Sequence, residues 1–150
     1  MDKALHHDAH ELVPHALRGW IGYTRTMERG LKKTGLGISQ YGLLAILAER
    51  GKMTMSAIGR EMGLTKGAGT NITDRLISAD LVTRERDEED RRVVWVELTD
   101  KGRAALKSAK GVAADYLASR LAALDGAERG ALIAACRKLA TEPAPAPARK

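Results

Sequence analysis

The sequence predicts a mainly α-helical protein with one small β-hairpin. Apolar residues recur at steps of three and four through most of its 150 residues, the period of amphipathic helices. Strict alternation, the mark of a strand, shows in the short stretch Val93 to Leu98. Aromatic residues make up 3% of the chain and Phe is absent, so the core must rest on Leu, Ile, Val, Ala and Met. Those side chains suit helix packing better than an aromatic-rich sheet.

The first helix is expected over residues 8–34, where Val13, Leu17, Trp20, Thr24, Met27 and Leu31 share one stripe. Gly35 and Gly37 end it. Ser39 reads as the N-cap of a helix through Glu49, with Tyr41, Leu44, Ile46 and Leu47 turned partly inward. Thr54 caps a short helix through Glu61 that buries Ile58 and Met62. Gly63 supplies a turn. Thr65 then caps a helix to about Ala79, with Ile72, Leu76 and Ile77 inward. Two strands follow, Val82 to Arg86 and Val93 to Leu98, joined by the charged tip DEEDRR. Thr99 caps a long helix from Asp100 to about Leu124, striped by Leu106, Ala109, Ala113, Leu117, Leu121 and Leu124. Asp125 and Glu128 have the spacing of a capping box. A last helix to about Ala140 is expected to bury Leu132, Cys136 and Leu139.

Helix, glycine turn, helix, then hairpin is the order of a winged helix-turn-helix, whose second helix can enter a DNA major groove. The long outer helices carry apolar stripes that one small domain cannot cover, so a homodimer is expected. Residues 1–142 are read as one winged-helix domain with intertwined terminal helices. Its DNA-binding part covers about 38–102, and 143–150 (PAPAPARK) is a disordered tail.

Composition bounds the function. Hydrophobic residues at 44% and charged residues at 29% indicate a globular chain, which at this length buries roughly 70% of its unfolded surface. The net charge of +6 fits a polyanionic partner, although placement matters more than the sum. Arg18, Arg25, Arg29, Lys32 and Lys33 face Glu28 alone, whereas the hairpin is nearly balanced. The single Cys136 excludes an intramolecular disulfide framework. The N-terminus lacks the apolar segment of a signal peptide, and no apolar run approaches the ~20 residues of a membrane span. A cytoplasmic chain with no membrane partner is the expectation.

The segment from Ile38 to Gly102 resembles the MarR (multiple antibiotic resistance regulator) family of winged-helix transcription factors. Gln40, Leu44 and Leu47 match one helix of the family. Asp90, Arg92, Leu98, Thr99 and Gly102 match its D-x-R…LT-x-x-G signature. The resemblance implies a homodimeric regulator, a ligand-responsive repressor of palindromic operator DNA. It implies that Arg92 enters the minor groove and that Asp90 orients it; a narrow minor groove does attract Arg. It also implies that Thr65, Lys66, Gly67, Thr70, Asn71, Arg75 and Arg91 belong to the DNA-binding surface. Asn can pair bidentately with adenine, and Lys or Arg with guanine or phosphate. Gly67 and Gly69 stand where the family usually has Ser and an apolar residue, and Asp80 where it usually has Gly.

Weaker signals lead elsewhere. Trp20, Tyr23, Met27 and Tyr41 read either as core or as a pocket for a small aromatic or phenolic effector. His6, His7, His10 and His15 with Asp8 and Glu11 read as a solvated terminus, most of it preceding the ordered helix, so no metal is expected. Cys136 reads as a buried small hydrophobe. There is no nucleophile elbow, phosphate loop or HExxH motif, so neither an enzyme nor a cofactor is expected. A protein-interaction module without specific DNA binding is the alternative that the acidic tip keeps open.

Overall fold

The computed structural model describes residues 3–141. Residues up to 114 form one compact unit and those from 115 onward a second, so each is described by itself.

Helix α1 (Lys3–Leu31) starts earlier than the expected residue 8. His6 and His7 therefore lie on the helix with His10 and His15, which corrects the expected place of the first two before it. Pro14 sits inside α1 and removes one internal hydrogen bond. A 3-10 turn (Lys32–Thr34) ends at Gly35, whose φ of 74° needs no Cβ penalty. Helix α2 (Ile38–Arg50) is capped at Gly37, not Ser39. The Gln40 Oε1 accepts the Gly37 N–H at 2.8 Å, so the reaching-back side chain, not the hydroxyl, closes this end.

A two-residue strand, β1 (Met53–Thr54), was not expected; it is too short to show alternation. Helix α3 (Met55–Glu61) follows, with the Thr54 Oγ1 accepting the Ala57 N–H at 3.2 Å. Ile58 is fully buried, whereas Met62 is only half-buried against the core. Helix α4 (Lys66–Ser78) is capped as expected: the Thr65 Oγ1 accepts the Ala68 N–H at 3.3 Å. Its fully inward residues are Gly69, Thr73 and Leu76, with Ile72 and Ile77 half-buried beside them. Strands β2 (Val82–Arg86) and β3 (Val94–Leu98) pair antiparallel from Val82↔Leu98 to Arg86↔Val94. β3 is central, because β1 adds to its other edge through Met53↔Val96.

Helix α5 (Asp100–Leu121) leaves the sheet at a tight corner. The Leu81 carbonyl accepts the Thr99 N–H at 3.1 Å. The Thr99 hydroxyl donates to the Asp80 carbonyl at 2.8 Å and accepts the Gly102 N–H at 2.9 Å. Gly102 lies directly under the Leu81 carbonyl, where a Cβ would collide with backbone oxygen and carbon. The core of this unit joins Met27 and Leu31 of α1, Leu43, Leu44 and Leu47 of α2, Ile58, Leu76 and Val96, and Leu106 and Ala109 of α5.

In the second unit, helix α6 (Gly126–Thr141) opens with the expected capping box. The Asp125 N–H donates to Glu128 Oε2 at 2.8 Å, and the Glu128 N–H to Asp125 Oδ1 at 2.9 Å. Leu132 and Cys136 are exposed in the single chain rather than buried. A sequence stripe shows that a face is apolar, not what covers it. The Leu139 side chain and the tail 143–150 lie outside the described residues.

Two substitutions should move stability in opposite directions. Gly102→Ala should cost about 1–3 kcal/mol or more, because overpacked backbone must shift. Asp80, at φ 59°, occupies the left-handed region, which Asp tolerates but only Gly enters without a Cβ penalty. Asp80→Gly should therefore gain about 0.5–1 kcal/mol, the usual scale of such backbone relief. Urea unfolding of the two variants beside wild type reads both signs.

Candidate nucleic-acid interface

Helix α4 has two faces. Gly69, Thr73 and Leu76 point into the core, and the Thr73 hydroxyl satisfies itself on the Gly69 carbonyl at 2.9 Å. The 3.6-residue period then turns Lys66, Gly67, Asn71 and Arg75 outward to solvent, with Thr65 exposed at the cap and Thr70 half-exposed. The Thr70 hydroxyl donates to the Lys66 carbonyl at 2.9 Å. Its oxygen keeps lone pairs for a further donor. A Cβ on Gly67 would meet nothing within 4 Å, so the helix start offers bare backbone to a partner.

The hairpin tip is closed by the Asp87 N–H on the Val93 carbonyl at 3.0 Å and the Val93 N–H on the Asp90 carbonyl at 2.8 Å. Asp90 grips Arg92 with both oxygens. Its Oδ1 accepts the Arg92 backbone N–H and Nε–H, each at 3.0 Å, and its Oδ2 accepts Nη2 at 3.2 Å. The Arg92 side chain is nonetheless 91% exposed. An exposed ion pair adds little to stability, so its effect is to aim the side chain. The Arg92 contacts, side chain before backbone, hold the Asp90 carboxyl below its ordinary value. Arg91 is exposed beside it.

Asp87 supports the tip from beneath. Its Oδ2 accepts the Trp95 indole N–H at 2.8 Å, and its Oδ1 accepts the N–H groups of Glu89 and Asp90 at 3.0 and 3.1 Å. The indole, then these backbone groups, hold its carboxyl below the ordinary value of 3.8. Lys52 pairs with Glu85 at 2.9 Å, which holds the ammonium above its ordinary value. Lys52 also stands 5.8 Å from the centre of the Trp95 ring.

An ion pair absent from the sequence reading joins the two halves of the surface. Arg84 on β2 meets Asp74 on the outward face of α4 at 2.9 Å. A signal for it existed: alternation puts Arg84 on the same strand face as buried Val82, where a charge requires a partner.

The four expected pocket residues differ in burial. Met27 is buried in the core, Tyr23 and Tyr41 are half-buried against it, and Trp20 is 62% exposed. Trp20 and Tyr23 stack loosely, with ring centres 6.0 Å apart. The two cavities described are lined elsewhere. The larger, about 670 Å³ and open, lies over Lys52, Glu85 and Trp95. His6 and His10 meet edge to face, yet no group of three or more metal-ligating side chains occurs among the described residues. No described helix is long and apolar enough to cross a membrane.

The MarR family model matches residues 36–94, the segment that holds α2, the helix-turn-helix, β2 and the hairpin tip. An HTH-type transcriptional regulator of Bacillus subtilis, YkoM, is 30% identical over 110 residues, 73% of this chain and 71% of that one. This chain belongs to the MarR family. MarR-family proteins are transcription regulators, not enzymes. The match spans 71%, 61% and 52% of the first curated relatives compared. Among solved structures, BpsR from Bordetella bronchiseptica is 25% identical with a TM-score of 0.73, covering 85% of this chain and 98% of that one. AbfR, solved in its reduced form bound to DNA, is 28% identical with a TM-score of 0.64, covering 77% and 80%.

Acid should release the tip before neutral solution does. Asp87 is depressed, so its contribution is present above the unfolded carboxylate value and is lost as pH falls through a folded value below 3.8. In a Trp20→Tyr background, Trp95 emission should hold steady from pH 7 to 5 and change below pH 3.8. A midpoint above the ordinary carboxylate value would show that the indole does not hold Asp87.

Proposed function

We propose that the chain represses transcription by gripping a palindromic operator as a homodimer in the cytoplasm, and that a small aromatic or phenolic effector loosens the grip. Residues 1–142 act as one winged-helix protomer with its DNA-binding part at about 38–102. The observation that carries this reading is the Arg92 side chain, whose guanidinium is aimed by both oxygens of Asp90 while the side chain is 91% exposed. A pre-oriented, solvent-facing Arg at a hairpin tip suits a narrow minor groove. The outward face of α4 suits the adjacent major groove. Asn71 and Lys66 have base-reading chemistry, while Thr65, Thr70, Arg75, Arg91 and the open backbone at Gly67 suit phosphates.

Relatives support the partners. AbfR is described bound to DNA, and the DNA binding of BpsR is regulated by 6-hydroxynicotinic acid. Trp20, Tyr23, Met27 and Tyr41 are the residues proposed to meet such an effector. The homodimer is supported by α1, where Leu5, Leu12, Val13, Leu17 and Trp20 are each more than half exposed along one side. Patches of that kind mark protein contacts. Sedimentation at micromolar concentration should find a dimer; a well-folded monomer would remove the basis for palindromic recognition.

The DNA test uses fragments pulled down from a genome and a salt titration. Affinity should fall steeply with salt. Arg92→Ala should weaken binding roughly 5- to 150-fold, the scale of a good direct contact, with little change in melting temperature. Arg75→Ala should weaken all sequences alike and lower the salt slope by ~1. Binding that is absent, or indifferent to salt, would favour a protein-interaction module instead.

A further inference from the structure

We infer that Trp95 is a positioning residue for Arg92, acting through the Asp87 carboxylate and the tip turn. This role presupposes the DNA contact proposed above for Arg92.

The route is a continuous line of hydrogen bonds. It starts at the half-buried Trp95 indole, whose N–H reaches Asp87 Oδ2 at 2.8 Å. The same carboxylate uses Oδ1 to hold the backbone N–H groups of Glu89 and Asp90 at 3.0 and 3.1 Å. Fixing the Asp90 backbone fixes where its own carboxylate starts. That carboxylate takes the Arg92 backbone N–H, Nε–H and Nη2–H. A rigid ring at the sheet is thus tied to a guanidinium that is otherwise in water.

The ring itself is held. The register pairs Trp95 with Glu85 on β2 and Thr54 on β1, so the indole stands on the central strand. Lys52 lies 5.8 Å over the ring and is itself anchored on Glu85 at 2.9 Å. Two-residue periodicity puts Glu85, Asp87 and Trp95 on the sheet face away from the core. On that face the half-buried indole meets Lys52 and Asp87, so polar contacts tie the tip to the sheet. Without them an exposed Arg samples many rotamers and loses that freedom on binding. The Asp87 carboxylate also needs a donor at Oδ2: a ring without the N–H leaves that oxygen to water and frees the turn to rotate.

A double-mutant cycle tests this, using a duplex that wild-type protein selects from random-sequence DNA. Trp95→Phe keeps the ring and its contact with Lys52 and removes the N–H. It should weaken binding roughly 3- to 10-fold, the scale of one side chain's ordering. In an Arg92→Ala background the same change should cost less than about 2-fold, because the positioned group is gone. Asp87→Asn, which can keep the turn but cannot accept from both sides, should show the same coupling and serves if the Phe variant folds poorly. In free protein, the ¹⁵N order parameter at Arg92 Nε should fall in both variants while the order parameters of α4 stay put. Equal losses in the two backgrounds, or an unchanged Arg92 order parameter, would overturn the role. If Arg92→Ala itself leaves affinity intact, the DNA reading of the tip fails, and the order parameter alone still decides whether Trp95 positions Arg92.

Discussion

The Leu81 carbonyl is the point on which the arrangement of α4 and the hairpin depends. It accepts the Thr99 N–H and sits against Gly102, while the neighbouring Asp80 carbonyl takes the Thr99 hydroxyl. Four elements end or begin within this corner: α4 stops at Ser78, β2 starts at Val82, β3 stops at Leu98 and α5 starts at Asp100. The direction in which α4 leaves the core and the direction in which the hairpin projects are therefore set together. This gives the LT-x-x-G pattern a physical content. Leu98 is buried, Thr99 bonds on both sides, and only a residue without Cβ fits beneath the carbonyl at 102. Asp80 accepts a left-handed backbone at the same corner, so the geometry is kept at some cost in stability.

Beyond that corner, charge pairs set shape more than they add stability. Asp74–Arg84 spans from α4 to β2, Lys52–Glu85 spans the sheet edge, and Asp90–Arg92 closes the tip. All three are largely exposed, and pairs of that kind are worth little. Their common effect is to fix side chains that would otherwise be mobile. Asp74 would also repel phosphate from the outward face of α4; its pairing with Arg84 offsets that bare charge on the face proposed to meet DNA. The acidic tip follows the same logic, because Asp87 and Asp90 are both spent on internal bonds.

Local chemistry was legible in the sequence, and long-range chemistry was not. Thr54, Thr65, Thr99 and the Asp125–Glu128 box all cap the helices they were expected to cap, since a cap involves residues within one turn. At Gly37 the same rule chose Ser39, because nothing local shows that Gln40 will reach back instead. β1 escaped notice because two residues hold no period. The Asp90–Arg92 pair was implied by the family resemblance, whereas Trp95–Asp87 and Arg84–Asp74 depend on strand register and helix docking. The apolar stripes of α1 and α6 were read correctly as stripes. Leu132 and Cys136 nevertheless lie exposed, because a stripe carries no information about which surface covers it.

The binding mode is tested most directly by hydroxyl-radical footprinting on a duplex selected by the protein. Two α4 helices of a dimer should shield two segments whose centres lie about 10–10.5 base pairs apart or a multiple of that. Minor-groove protection should flank them, and it should vanish in Arg92→Ala while the central protection remains at saturating protein. A single protected segment, or flanking protection that survives the loss of Arg92, would contradict the placement of α4 and the hairpin tip on DNA.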